Sequence, residues 1–173
     1  MDTWQAINTT RAIRKFDGRS LAPEDLRRVL DAGRRSGSSK NQQAWDFIVC
    51  TDREHLIQLA GVGPYAQHLA GAAAAVALVT PDPAASAAPY SIMWDLGRAA
   101  QNMTLAAWEL GIGSAPATVY DQPLARELLS LPADHWCEFF LSFGYPENPE
   151  SLTWAKRAGG RKPLESVVHT ERW

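Results

Sequence analysis

The 173-residue chain predicts an α+β fold, a single domain over residues 1–173 in which a mixed sheet lies between helical layers. Three observations lead there. Apolar residues at alternating spacings of four and three (Ile92, Leu96, Ala99, Met103, Ala106, Leu110) describe one long core helix. The continuous apolar runs "WDFIVC", "AAVALVT" and "WCEFFLSF" read as buried strands. Helices and strands alternate without a regular βαβ rhythm, so a doubly wound parallel sheet fits less well. One core suffices, because domains usually run to roughly 100–200 residues.

Asp2 is placed to cap a short first helix whose apolar positions Trp4 and Ile7 lie three apart. Pro23 suits the first turn of a second helix, with Leu26, Val29, Leu30 and Gly33 at helical spacing. "SGSSKNQQ" is a polar loop before the first strand. Thr51 with Glu54 forms a capping box that opens "DREHLIQLAG" as a helix. "AAVALVT" follows as a strand and "DPAASAAP" as a loop. The long helix from Ser91 to Leu110 comes next, ended by Gly111. "GIGSAPATVYD" runs extended into a short helix capped by Asp121, which continues through Pro123 to Leu129. The strand "WCEFFLSF" stops at "GYP". The tail 147–173 is polar and irregular, with "SVVH" as a late strand-like piece, and is expected to pack on a second subunit.

Composition removes several function classes. Apolar residues make up 46% and charged residues 21%, and the formal net charge is −2. Neither a nucleic-acid surface nor a polybasic membrane anchor is expected. Cys50 and Cys137 form no Cys-x-x-Cys pair and sit in apolar runs, as buried reduced thiols would. The N-terminus has no basic segment followed by an apolar stretch, and "LAGAAAAVALVT" falls short of the about 20 residues that span a bilayer, so a cytoplasmic protein is expected. The four histidines are scattered without ligand spacing, so no metal site is expected. "GIGSAP" supplies no nucleophile elbow, and "LGIG" is not a dinucleotide fingerprint. Borrowed-cofactor chemistry is what such a chain can do.

The stretch "INTTRAIRKFDG" carries Arg11, Arg14 and Lys15, which either face water or form an anion socket. Four motifs decide the matter in order: "TTRAIRKF", "SGSSKNQQAW", "DLGRAAQNMTLAAWELGIGSAPATVYD", and "FGYP" with "GRKPLESVVH". Together they resemble the nitroreductase family over essentially the whole chain. The resemblance implies a mostly antiparallel α+β sheet flanked by helices. It further implies a homodimer that exchanges its C-terminal tails and binds FMN in clefts between subunits.

Residue by residue, the resemblance implies that Arg11 meets the FMN phosphate, which suits a guanidinium fork. Arg14 would reach the pyrimidine side of the flavin, where negative charge gathers on reduction, and Lys15 would be solvated. Thr10 and Ala12 replace polar anchors of the family's Arg-Arg-Ser-x-Arg opening, which leaves Ala12 as a main-chain contact. Ser38, Ser39 and Asn41 would lie against the partner's flavin, and Trp45 would anchor the first strand. Pro116 and Ala117 would pack on the ring, with the amide of Thr118 or Val119 hydrogen-bonded to N5. Arg161 would close on the phosphate. The implied activity is ping-pong hydride transfer from NAD(P)H to a small-molecule acceptor such as a nitroaromatic or quinone. No side chain is implied as general acid or base. An FMN-dependent dehydrogenase or oxidase, or a flavin-sequestering protein without turnover, is the alternative.

Overall fold

The computed structural model describes residues 1–85, 88, 90–153 and 160–173. Four strands, β1 (Asp46–Cys50), β2 (Ala74–Pro81), β3 (Gly113–Thr118) and β4 (His135–Gly144), form one sheet in the order β1–β2–β4–β3. Each neighbouring pair is antiparallel. Five helices surround it: α1 (Thr3–Thr9), α2 (Pro23–Arg34), α3 (Arg53–Leu59), α4 (Ile92–Glu109) and α5 (Gln122–Leu129). The expected α+β architecture is therefore present. Among the described residues, parallel pairing is confined to one bridge, between Ala12 and Ser114.

Both faces of the sheet are covered, which is why β2 reads as a continuous apolar run. On one face, Ala75, Ala77, Val79, Cys137 and Phe140 pack with Leu56 and Leu59 of α3 and Leu129 of α5. On the other, Val76, Leu78, Leu141 and Phe143 pack with Val29 of α2 and Leu96 and Met103 of α4. Cys137 and Phe140 share a face although they are three residues apart. A bulge where Leu78 pairs with Phe139 and Val79 with Cys137 leaves Glu138 as the extra residue and reverses the alternation there.

After α1 the chain runs along the outer edge of the sheet. The Trp108 indole donates to Thr9 Oγ1 at 2.9 Å, tying α1 to α4. The Ile13 amide donates to the Ser114 carbonyl at 2.8 Å, and the Asp17 amide to the Tyr145 carbonyl at 3.0 Å. Ile13 and Phe16 lie so close over Gly113 and Gly144 that an added Cβ would stand 2.7 Å from each side chain.

Three sequence expectations need correction. The cap of α3 is Asp52, which accepts from the His55 amide, because it sits one residue nearer the helix than Thr51. On α4 the buried stripe drifts to Ala107 and Trp108, and Ala106 and Leu110 are only half-buried. "SVVH" forms no strand: a 3-10 turn spans Leu164–Ser166, and Val167 and Val168 stand exposed with no strand beside them in their own chain. Helix α4 ends as expected, with Gly111 at φ +75 in the left-handed region. Residues 86, 87 and 89 of the "DPAASAAP" loop and 154–159 of the tail lie outside the described residues.

The contact between Phe16 and Gly144 fixes the segment that carries the arginines. Gly144→Ala is expected to destabilise the protein by about 1–3 kcal/mol through overpacking. Urea unfolding measures this, and an unchanged midpoint would show that Phe16 yields freely.

Candidate functional site

Strand β3 is an edge strand, and its ladder determines which of its backbone groups are available. The Val119 amide donates to the Glu138 carbonyl at 3.0 Å, so Val119 faces Glu138 as a hydrogen-bonded pair. Alternation in an antiparallel ladder then turns the backbone groups of Ser114, Pro116 and Thr118 outward, away from β4. Pro116, which has no amide hydrogen, stands where none is needed for the ladder. The outward edge is closed at one end by Ile13 on Ser114. At the other, the Tyr120 and Asp121 amides both donate to the Val62 carbonyl, at 2.8 and 2.9 Å. Between these ends lie the Pro116 carbonyl and the Thr118 amide.

This separates the two candidate donors. The amide of Val119 is already engaged with Glu138; that of Thr118 points outward. Ala117 is also redefined, because its side chain is 1% exposed inside the core beside α3 and α5. It can offer only main chain. Pro116 presents its ring on the opposite, exposed side, over a cavity of about 90 Å3 shared with Met93, Leu96 and Gly97 of α4.

The cations lie on the segment that pairs with β3. Arg11 is half-buried and its Nε donates to the Thr9 carbonyl at 3.3 Å. Ala12 is exposed beside Ser114. Arg14 is exposed yet close enough to the buried His68 for its charge to act on that ring. Lys15 is exposed, as expected, and its carbonyl accepts from the Glu147 amide. Arg161 stands exposed on the tail, donating to the Gly160 carbonyl at 2.9 Å.

Ser38, Ser39 and Asn41 sit on a loop whose shape is held from α4. Lys40, Asn41 and Gln43 all have positive φ, near 50. The loop closes on itself where the Gln43 amide donates to Ser38 Oγ at 2.9 Å. Its anchor is Asp95, only 6% exposed, which accepts from the Ser39 amide and the Ser91 hydroxyl, each at 2.9 Å. Arg98, the partner of Asp95 at 3.8 Å, crowds Gly37, where a Cβ would stand 2.8 Å from the guanidinium. Trp45 is buried against the α2–α4 face, as expected.

Sequence reasoning missed three groups. Asp95 occupies an ordinary position in a helical pattern, and only its burial reveals it. Tyr65 and Tyr120 stand exposed with ring centroids 6.3 Å apart at the mouth of an open cleft beside Val62 and Gly63. Tyr120 closes the strand segment already singled out, which was the available signal. His68, the third, is buried behind β3.

The remaining reactive groups are quiet. Burial pushes the Cys50 thiol up to about 11 and the Cys137 thiol up to about 12, so both stay protonated. Among the described residues there is no cluster of potential metal ligands, and no helix is long and apolar enough to cross a membrane.

Against known proteins, the model of the Nitroreductase family matches residues 7–66 and 63–145. An Archaeoglobus fulgidus protein, named as a candidate NADH dehydrogenase/NAD(P)H nitroreductase, is 35% identical over 96% of both chains. The NADPH-flavin oxidoreductase of Vibrio harveyi is 28% identical, covering 99% of this chain and 75% of that protein. Nitroreductase A from Vibrio parahaemolyticus superposes with a TM-score of 0.85 at 27% identity, over 100% of this chain and 77% of that one. The chain belongs to the nitroreductase family of oxidoreductases.

Asp95→Ala removes the anchor of the serine loop, and hydrogen bonds to a charged group are worth about 1.5–3 kcal/mol. The variant is expected to lose about that much stability in urea and to be cut faster by trypsin at Lys40. Unchanged cleavage would show that the loop holds its own shape.

Proposed function

We propose that the chain is an FMN-dependent NAD(P)H oxidoreductase that acts as a homodimer on small planar acceptors. The observation that carries this is the open stretch of the β3 edge, where an outward amide at Thr118 lies between Arg14 and the tyrosine cleft. The residues fit FMN: two guanidiniums for a dianion and an isoalloxazine, an apolar Pro116 for a ring face, and a donor that cannot titrate. When bound, FMN would supply the redox chemistry, hydride transfer between NAD(P)H and the acceptor in a ping-pong cycle.

The chain's own part is to bind and orient. Arg11, with the main chain at Ala12 and with Arg161, would hold the phosphate. Arg14 would offset negative charge on the pyrimidine side, and the Thr118 amide would donate to N5. Tyr65 and Tyr120 would flank a flat acceptor such as a quinone or nitroaromatic. Ser38, Ser39 and Asn41 would reach the partner's flavin, which makes the dimer part of the site.

Support for the dimer comes from the tail and from β1. Leu164, Val167, Val168 and Trp173 are exposed on their own chain, at 68, 53, 56 and 103%. Strand β1 is the other edge of the sheet, and an open groove of about 630 Å3 runs between it and α2, lined by Arg27, Arg34, Phe47 and Val49. An unpaired strand edge is normally covered, and the partner's tail has the β-branched residues and glutamates to cover this one.

The test is to purify the protein, record its visible flavin spectrum, and add NADH or NADPH without oxygen. A yellow protein that bleaches and is reoxidised by quinones or nitroaromatics is expected; a colourless one that takes up no FMN would refute the proposal. Arg11→Ala should weaken FMN binding about ten- to hundredfold, the worth of a charged hydrogen bond. Thr118→Pro removes the outward amide while sparing the ladder, and should slow reduction about a hundredfold with FMN still bound.

Truncation before Leu164 tests the tail. Light scattering should show loss of the dimer, and absorbance loss of FMN. A truncated protein that stays dimeric, yellow and active would make the tail dispensable.

A further inference from the structure

His68 lies in a 3-10 turn over Gln67–Gly71 and is 8% exposed. Its Nδ1 is 2.8 Å from Ser142 Oγ, and that hydroxyl lies 3.2 Å from the Ala115 carbonyl. Ser142, fully buried on β4, pairs with Ala75 on one side and Ala115 on the other. His68 Nε2 is buried and has no hydrogen-bond partner among the described residues. The main chain of Pro116 and the charge of Arg14 both act on the ring. Ala115 adjoins Pro116 on β3, so the imidazole is tied through Ser142 to the strand segment assigned above to the flavin, from the side opposite the exposed face of Pro116.

We propose that His68 is a positioning residue of the flavin site, a wedge anchored on Ser142 that sets where the Ala115–Pro116 segment of β3 stands. The proposal rests on the preceding reading that Pro116 meets FMN. Ser142 has a single O–H. If it donates to Ala115, the Nδ1–H of His68 donates to Ser142 and Nε2 carries no proton. If it donates to Nδ1, the ring's proton sits on Nε2. Either arrangement uses a ring with one proton.

A second proton would put charge on a buried ring already under the field of the Arg14 charge. Burial first, and then the Arg14 charge, hold His68 below its ordinary value, against an opposing pull from the Pro116 main chain. The Ser142 hydroxyl that holds the ring and the Ala115 carbonyl beyond it do not titrate. Because the unfolded chain takes the proton first, this group's contribution is present above about pH 6.5 and is lost as pH falls below it.

The experiment compares wild type with His68→Phe, which keeps bulk, and His68→Gln, which keeps polar partners but cannot titrate. Apo-protein melting and FMN dissociation constants are measured at about pH 7.5 and about pH 5.5, either side of an ordinary histidine. At the higher pH, His68→Phe should bind FMN about tenfold more weakly or worse, and His68→Gln within about threefold of wild type. On acidification, wild type should lose both melting temperature and affinity relative to His68→Gln. The comparison cancels the titration of the FMN phosphate itself. A folded His68→Phe that binds FMN like wild type at both pH values would overturn the proposal. If His68→Phe does not fold, Ser142→Ala is read in its place: weaker binding supports the wedge and unchanged binding overturns it. A wild type that binds no FMN at either pH would overturn the flavin reading itself, and this inference with it.

Discussion

The alternation of hydrogen bonds along one edge strand is the constraint on which the rest depends. Because Val119 gives its amide to Glu138, every second residue of β3 must turn its backbone outward. Left alone, such an edge invites pairing along its whole length. Here the N-terminal segment closes it at Ser114 and the turn before His68 closes it at Tyr120 and Asp121. A short stretch of outward groups remains from Pro116 to Thr118, with Gly63 close against the Thr118 carbonyl. Its one outward amide belongs to Thr118, since Pro116 has none to give.

Helix α4 makes this stretch a site. Its first half holds the serine loop through Asp95 and underlies Pro116 through Met93, Leu96 and Gly97. Its last turns bind α1 through Trp108 and Thr9, just before the arginines. Loop, strand edge and basic segment are therefore registered against one rigid rod. Its interior is fixed by packing as close as that of Gly33 on Met103, where a Cβ would stand 2.2 Å from the methionine methyl group. Such rigidity suits a site whose work is positioning a bound group.

Most of the fold was legible because it is written in short-range patterns. Period and length found α2, α4 and three of the strands, β3 was expected as an extended run, and Asp2 and Asp121 announced their helices as caps. The misplaced cap of α3 came from two adjacent side chains of equal promise, Thr51 and Asp52. The tail misled because β-branched residues report a tendency to pair, not a partner within the same chain. Within the site, Arg11, Arg14 and Thr118 were reached through family motifs. Asp95 and His68 were not, because a buried polar side chain has its meaning in the groups around it. The choice between Thr118 and Val119 needed the register with β4, which no local pattern encodes.

The chain's two cysteines acquire a meaning from their burial. Alkylating agents are electrophiles that thiolates attack. With both thiols enclosed and held near 11 and 12, the thiolate fraction at neutral pH is on the order of one part in ten thousand or less. A protein built this way offers such reagents no ready thiolate, and in their presence it should outlast proteins with surface sulfur.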